Sequence, residues 1–77
     1  MNEWKIDDLR QAAAQAIGVD TWDIPDDADL LERGLDSLRM MRLSGALRVA
    51  GYDIPVTVLA EKPTINAWFA VIEGARP

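Results

Sequence analysis

Gly34-Leu35-Asp36-Ser37-Leu38-Arg39-Met40-Met41 is the stretch of this chain whose residue types and spacing could do chemistry. Gly34 permits a sharp turn, Asp36 supplies a carboxylate, and Ser37 falls in the first turn of an expected helix. Three roles compete for that hydroxyl: helix cap, catalytic nucleophile, and acceptor of a covalently attached group. Asp-Ser before a helix is a common capping arrangement. Catalysis has little to work with. The chain has no His to serve as base, its only lysines are Lys5 and Lys62, and Asp36 rather than Ser37 stands two residues after Gly34, so G-x-S-x-G is absent. The acceptor role suits the residues better. A phosphate ester on Ser37 would lie at a helix N-terminus, where free N–H groups and the macrodipole favour negative charge. Asp36 would help hold a divalent cation during the transfer, as a hard carboxylate ligand suited to Mg²⁺.

The composition narrows the field further. A chain of 77 residues is one domain at most, read as 1–77, with a small core and no room for a substrate cavity plus a catalytic shell. A formal net charge of −5 argues against non-specific nucleic-acid binding, which needs a basic surface. With no Cys and no His, the chain lacks disulfides, thiolate and imidazole metal ligands, and the most versatile catalytic side chains. No apolar run approaches the ~20 residues of a membrane span, and no basic-then-apolar leader opens the chain. The expectation is a cytoplasmic monomer that binds neither membrane nor nucleic acid. Met1 and the ends point to a free-standing protein over an excised domain.

Other elements must position the serine. Residues Ile6, Leu9, Ala13, Ala16 and Ile17 recur at helical spacing, with Asn2 read as N-cap, acidic Glu3, Asp7 and Asp8 at the start, and Gly18 as the residue that closes the helix. Trp4 falls off this stripe. Residues 19–36 have no long period, contain Pro25, and carry Asp20, Asp23, Asp26, Asp27, Asp29, Glu32 and Asp36. They read as a long loop pinned by Val19, Trp22, Ile24, Leu30, Leu31 and Leu35, with one helical turn at Asp29–Arg33 ending at Gly34. A calcium loop is rejected. Asp27-Ala28-Asp29 is followed by Leu30-Leu31, with no glycine where an EF-hand must turn.

The helix after Ser37 should run to about Ala50 and end at Gly51. Steps of about 100° place Met40, Leu43, Ser44 and Leu47 on a core face, with Ala50 at its edge. The opposite side carries a second apolar row, Leu38, Met41, Gly45 and Val49, flanked by Arg39, Arg42 and Arg48. An outward face should be polar. An apolar row rimmed by arginines is the pattern of a docking surface. Residues 53–60 are β-branched and locally strand-like, yet no second strand exists to pair with them, so a short helix begun by Pro55 is expected. Thr64 then caps a last helix whose stripe is Ile65, Trp68, Phe69 and Ile72, stopped by Gly74. The fold class is all-α: a small four-helix bundle of three longer helices and a short third, with a long first loop.

Gly34-Leu35-Asp36-Ser37-Leu38 resembles the phosphopantetheine attachment motif of carrier proteins. The likeness covers nearly the whole chain, through Asp29-Leu30-Leu31-Glu32-Arg33 upstream and Leu59-Ala60-Glu61-Lys62-Pro63-Thr64-Ile65-Asn66-Ala67-Trp68 downstream. With Arg39-Met40-Met41 following the serine, the chain is similar to the aryl carrier proteins of nonribosomal peptide siderophore pathways. The resemblance implies a non-catalytic carrier with 4′-phosphopantetheine on Ser37, Asp36 in support, and an acyl group held as a thioester. It also implies partners: a phosphopantetheinyl transferase, an adenylating enzyme, and a condensation or other acyl-accepting domain. Their contacts would map to Leu38, Met41 and Val56 as apolar residues, with Arg39 and Arg42 as polar ones. The basic helix favours the peptide-synthetase side over fatty-acid and polyketide carriers. Two alternatives stay open: an amino-acyl (peptidyl) carrier, and an unmodified helical interaction module in which Ser37 is only a cap.

Overall fold

In the computed structural model, which describes residues 3–75, α1 (Ile6–Ile17) packs the expected stripe inward. Leu9, Ala13 and Ile17 are buried, and Ile6 and Ala16 pack at the edge of the core. The N-terminus differs from expectation: Lys5 holds the cap position, and the Asp8 carboxylate accepts a 2.7 Å hydrogen bond from the Lys5 N–H. Asn2 lies outside the described residues. The helix starts late because Trp4 is engaged elsewhere: its backbone N–H donates to the Tyr52 hydroxyl at 3.0 Å, and the two rings lie 6.2 Å apart. Gly18 closes the helix as expected, in the left-handed region.

Helix α2 (Ser37–Val49) buries Met40, Leu43, Ser44 and Leu47, the four residues that its periodicity assigns to the core. It ends in a Schellman closure. The Tyr52 N–H donates to the Leu47 carbonyl at 2.8 Å and the Gly51 N–H to the Arg48 carbonyl at 3.0 Å, around a Gly51 φ of 102°. Tyr52 thereby turns into the core, where it receives Trp4.

Residues 56–61 are helical as expected, forming α3 (Val56–Glu61) with Pro55 in the cap position. A β-branched run resolves to helix here because the described residues contain no strand to pair with it. Helix α4 (Ile65–Ala75) starts at Thr64, whose hydroxyl accepts from the Ala67 N–H at 3.1 Å. It continues through Gly74, contrary to the expected stop; one glycine costs a helix only about 1 kcal/mol. Trp68 is fully buried at the centre of the bundle, its indole N–H donating to the Leu59 carbonyl at 2.9 Å. The described residues thus form an all-α bundle of four helices joined by one long loop.

That loop, residues 18–36, is held more selectively than its apolar residues predict. Ile24, Leu30 and Leu35 are buried, whereas Val19, Trp22 and Leu31 are exposed. The backbone supplies the other anchors: the Leu30 N–H donates to the Pro63 carbonyl at 2.9 Å, and the Asn66 N–H to the Asp26 carbonyl at 3.0 Å. A short 3₁₀ turn at Thr21–Asp23, unpredicted, lies within it. Arg10 of α1 is buried beside the loop. Its guanidinium donates to the Ile24 carbonyl at 2.6 Å and pairs with Asp26, so a buried charge is satisfied by the segment that it fastens.

Candidate functional site

The expected turn before the serine is present. The N–H groups of Glu32, Arg33 and Gly34 donate to the carbonyls of Asp29, Leu30 and Leu31. The Leu35 N–H then reaches back to the Leu30 carbonyl at 3.0 Å. With Gly34 at φ 103°, this is another Schellman closure, and it buries Leu30 and Leu35 side by side in sequence logic: the residues on either end of the 6→1 bond. Gly34 is required by this geometry. A Cβ here would meet the Ile17 side chain at an unremarkable 3.6 Å, so the penalty on any other residue is conformational, not steric crowding.

Past Gly34 the chain is extended at Asp36, with φ −129° and ψ −178°, and α2 begins at Ser37. Asp36 is the cap: one of its carboxylate oxygens accepts the Arg39 N–H at 2.8 Å, while its carbonyl accepts the Met40 N–H at 2.8 Å. Ser37 therefore does not cap. It is the first helical residue, it is exposed, and its hydroxyl has no hydrogen-bond partner among the described residues. The N–H groups of Ser37 and Leu38 likewise have no acceptor among the described residues, because the cap and the first helical bond serve Arg39 and Met40.

Arg39 closes the site on its other side. Its guanidinium donates to the Gly34 carbonyl at 2.7 Å and lies 3.9 Å from the second Asp36 oxygen. The arginine thus braces the turn, an arrangement that sequence spacing does not reveal because it depends on Gly34 folding back over the helix start. Leu38 and Met41 are 57% and 60% exposed, and neighbouring loops do not cover them. Arg42 is exposed alongside. Val56, at the start of α3, and Arg39 are half-buried, so each is less exposed than Leu38, Met41 and Arg42.

The arrangement presents a hydroxyl to solvent at the start of α2. No side chain hydrogen-bonds to the Ser37 hydroxyl among the described residues, and the groove between α3 and α4, lined by Val58, Trp68 and Val71, holds about 80 Å³. A phosphodiester fits at Ser37: its oxygen faces solvent, two uncommitted N–H groups and the positive end of a 13-residue helix lie beside it, and an arginine stands within the same turn.

Comparison with known proteins identifies the class. The model of the family described as "Phosphopantetheine attachment site" matches residues 7–72, and the chain belongs to that family. It is a carrier domain, of a kind that bears covalently attached 4′-phosphopantetheine and is not itself catalytic.

Its relatives include the phenyloxazoline synthase MbtB of Mycolicibacterium paratuberculosis, 37% identical over 91% of this chain but 6% of that protein. The isochorismatase of Bacillus subtilis is 39% identical over 87% of this chain and 22% of its own length. The enterobactin synthase component B of Escherichia coli is 45% identical over 61% of this chain and 16% of its own. The chain therefore spans less than a quarter of each of these relatives. No solved structure matches it significantly. The matches support the resemblance to aryl carrier proteins of siderophore-type nonribosomal peptide synthesis. None of the described helices is long and apolar enough to cross a membrane.

Proposed function

We propose that Ser37 is the attachment oxygen and that residues 1–77 act as one aryl carrier domain in nonribosomal peptide synthesis. The observation that carries this reading is the division of labour at the start of α2: Asp36 caps the helix, and the serine hydroxyl is left exposed and uncommitted. A serine kept only as a cap would have its oxygen on an N–H group. When bound, 4′-phosphopantetheine supplies a terminal thiol that holds the acyl group as a thioester, so a chain without Cys has no need of its own. The protein contributes position. Gly34 and the Leu30–Leu35 closure aim Ser37 outward, the free N–H groups stabilise a negative ester, and the second Asp36 oxygen, held only by a long ion pair to Arg39, can turn to a Mg²⁺ ion during modification.

Leu38, Met41 and Arg42, with part of Val56, form the surface that partners read, and Arg39 serves it mainly by bracing the turn. The partners are a phosphopantetheinyl transferase, an adenylating enzyme and a condensation or other acyl-accepting domain, met as a monomer in the cytoplasm. The phenyl group in the name of one relative supports an aryl cargo over an amino-acyl one.

The test is to incubate the protein with coenzyme A, Mg²⁺ and a broad-specificity transferase and then weigh it. The wild type gains one pantetheinyl group and Ser37→Ala gains none. An undiminished gain in that variant would sink the assignment. Parallel loading by salicylate-type and amino-acid adenylating enzymes then separates the aryl carrier from the peptidyl one.

A further inference from the structure

Arg10 is a buried charge to which the carrier reading gives no role. Its side chain is 10% exposed, and its guanidinium donates to the Ile24 carbonyl at 2.6 Å, pairs with Asp26 and lies 3.4 Å from Asp7. The preceding carbonyl, that of Asp23, accepts from the Arg33 guanidinium at 2.8 Å. Two consecutive carbonyls of the first loop are thus gripped by arginines from different parts of the chain, one in α1 and one in the turn before Gly34. On the far side of that turn the Gly34 carbonyl accepts from Arg39 of α2 at 2.7 Å. Three guanidinium-to-carbonyl bonds therefore lead from α1, through residues 23–24 and 33–34, to the first turn of α2.

The links differ in character. Arg10 is shielded from water, so residues 24 and 26 cannot leave it without stranding a buried charge. Ile24, 1% exposed, seats the same stretch in the core. Arg33 is exposed, where a single contact adds little to global stability. The turn it belongs to is nevertheless one turn long, too short to keep its shape unaided, and Leu30 and Leu35 secure only its inner side. Arg33 ties the outer side to the stretch that Arg10 has fixed. Orientation is what Ser37 has to offer an enzyme. In modification its oxygen attacks the pantetheine-side phosphorus of coenzyme A, the bond from that phosphorus to the bridging oxygen breaks, the nucleotide leaves, and the serine proton passes to the transferase. The attack runs in line with the leaving oxygen, and a misplacement of about 1 Å can cost such a step on the order of 100-fold.

Building on the carrier reading, we propose that Arg10 and Arg33 are positioning residues for the modification of Ser37. They act in series: Arg10 fixes carbonyls 23–24 against α1, and Arg33 transfers that fixed point to the turn that aims the serine. Neither needs to touch the transferase. Breaking either link releases the outer side of the turn, so breaking both does no further harm.

The experiment compares wild type, Arg33→Ala, Arg33→Lys, Arg10→Lys and the Arg10→Lys/Arg33→Ala double variant. The readouts are steady-state modification by a broad-specificity transferase with coenzyme A and Mg²⁺, and amide hydrogen exchange of the unmodified protein. Arg33→Ala is expected to lower kcat about tenfold and leave KM for the carrier within twofold, with its thermal midpoint unchanged. A lost contact with the transferase would raise KM instead. Arg33→Lys, which keeps a charged donor, should recover to within threefold of wild type, and Arg10→Lys should resemble Arg33→Ala. The double variant should be no slower than the slower single one, whereas independent effects would multiply. Exchange of the Leu35 N–H, which closes the turn onto the Leu30 carbonyl, should quicken in the slow variants, while the Trp68 N–H of α4 keeps its wild-type rate. Should Arg10→Lys not fold, Asp26→Asn loosens the same link from its more exposed side and replaces it. A kcat within twofold of wild type in every single variant, an effect confined to KM, or multiplying losses in the double variant would each overturn the proposal. A wild type that never gains mass defeats the carrier reading itself; normal modification of all variants defeats this proposal alone.

Discussion

The two segments that meet at Ser37 solve opposite problems. The first loop has an irregular backbone, so its N–H and C=O groups need partners beyond their own neighbours: Pro63, Asn66 and the Arg10 guanidinium supply them from outside, and Arg33 supplies one from within the loop. Beyond its first turn helix α2 satisfies its own backbone N–H groups, and only one face of it is needed by the core. Its other face is free to carry Leu38, Met41 and Arg42 to solvent. The loop therefore spends its side chains on being held, while the helix can give its side chains to recognition. Ser37 sits where the two regimes join, on a rigid helix end aimed by an anchored turn.

Replacing an anchor should separate these roles most sharply. Leu30→Ala empties a fully buried position and is expected to cost about 2–5 kcal/mol by denaturant unfolding, enough to threaten a domain this small. Leu31→Ala, one residue on and exposed, should stay within about 0.5 kcal/mol; equal losses would mean that the loop is held differently.

On the helix side the ordering reverses. Arg42→Glu should leave stability within about 0.5 kcal/mol. It should slow loading or discharge by roughly tenfold, since a reversed rim charge opposes encounter with a complementary partner. Full activity in that variant would remove Arg42 from the docking surface.

At the join itself, Asp36→Ala loses the cap and should cost about 1 kcal/mol, whereas Asp36→Asn retains a capping oxygen and should cost at most a few tenths. Modification of Ser37 is then the discriminating measurement. If Asp36→Asn is modified as fast as wild type in limiting Mg²⁺, its carboxylate is a cap and nothing more.

Local patterns were legible wherever one element decides its own structure. The core face of α2, the Asp29–Arg33 turn, the Thr64 cap and the helical state of residues 56–61 all follow from spacing, a capping hydroxyl or the lack of a strand partner. The errors share a different cause. Asn2 and Gly74 looked like helix ends because their residue types favour ends, but Lys5 takes the cap position of α1 and α4 runs through Gly74. Trp22, Val19 and Leu31 looked like anchors because they are apolar, yet a loop buries only the residues that its neighbours can reach. Arg10 carried no signal at all, since a charge on α1 becomes buried only once the loop folds across it.

The sequence by itself therefore determined the helices, the glycine turn and the presence of an aspartate and a serine at the start of α2. It also carried the resemblance to the family whose model matches residues 7–72. Tertiary structure decided which of two adjacent oxygens does the capping. That choice rests on backbone direction at Asp36, set by the Leu30–Leu35 closure and by the burial of both leucines, and no single residue type encodes it. Tertiary structure likewise decided which loop side chains face solvent, because burial depends on what lies opposite and not on how apolar a residue is.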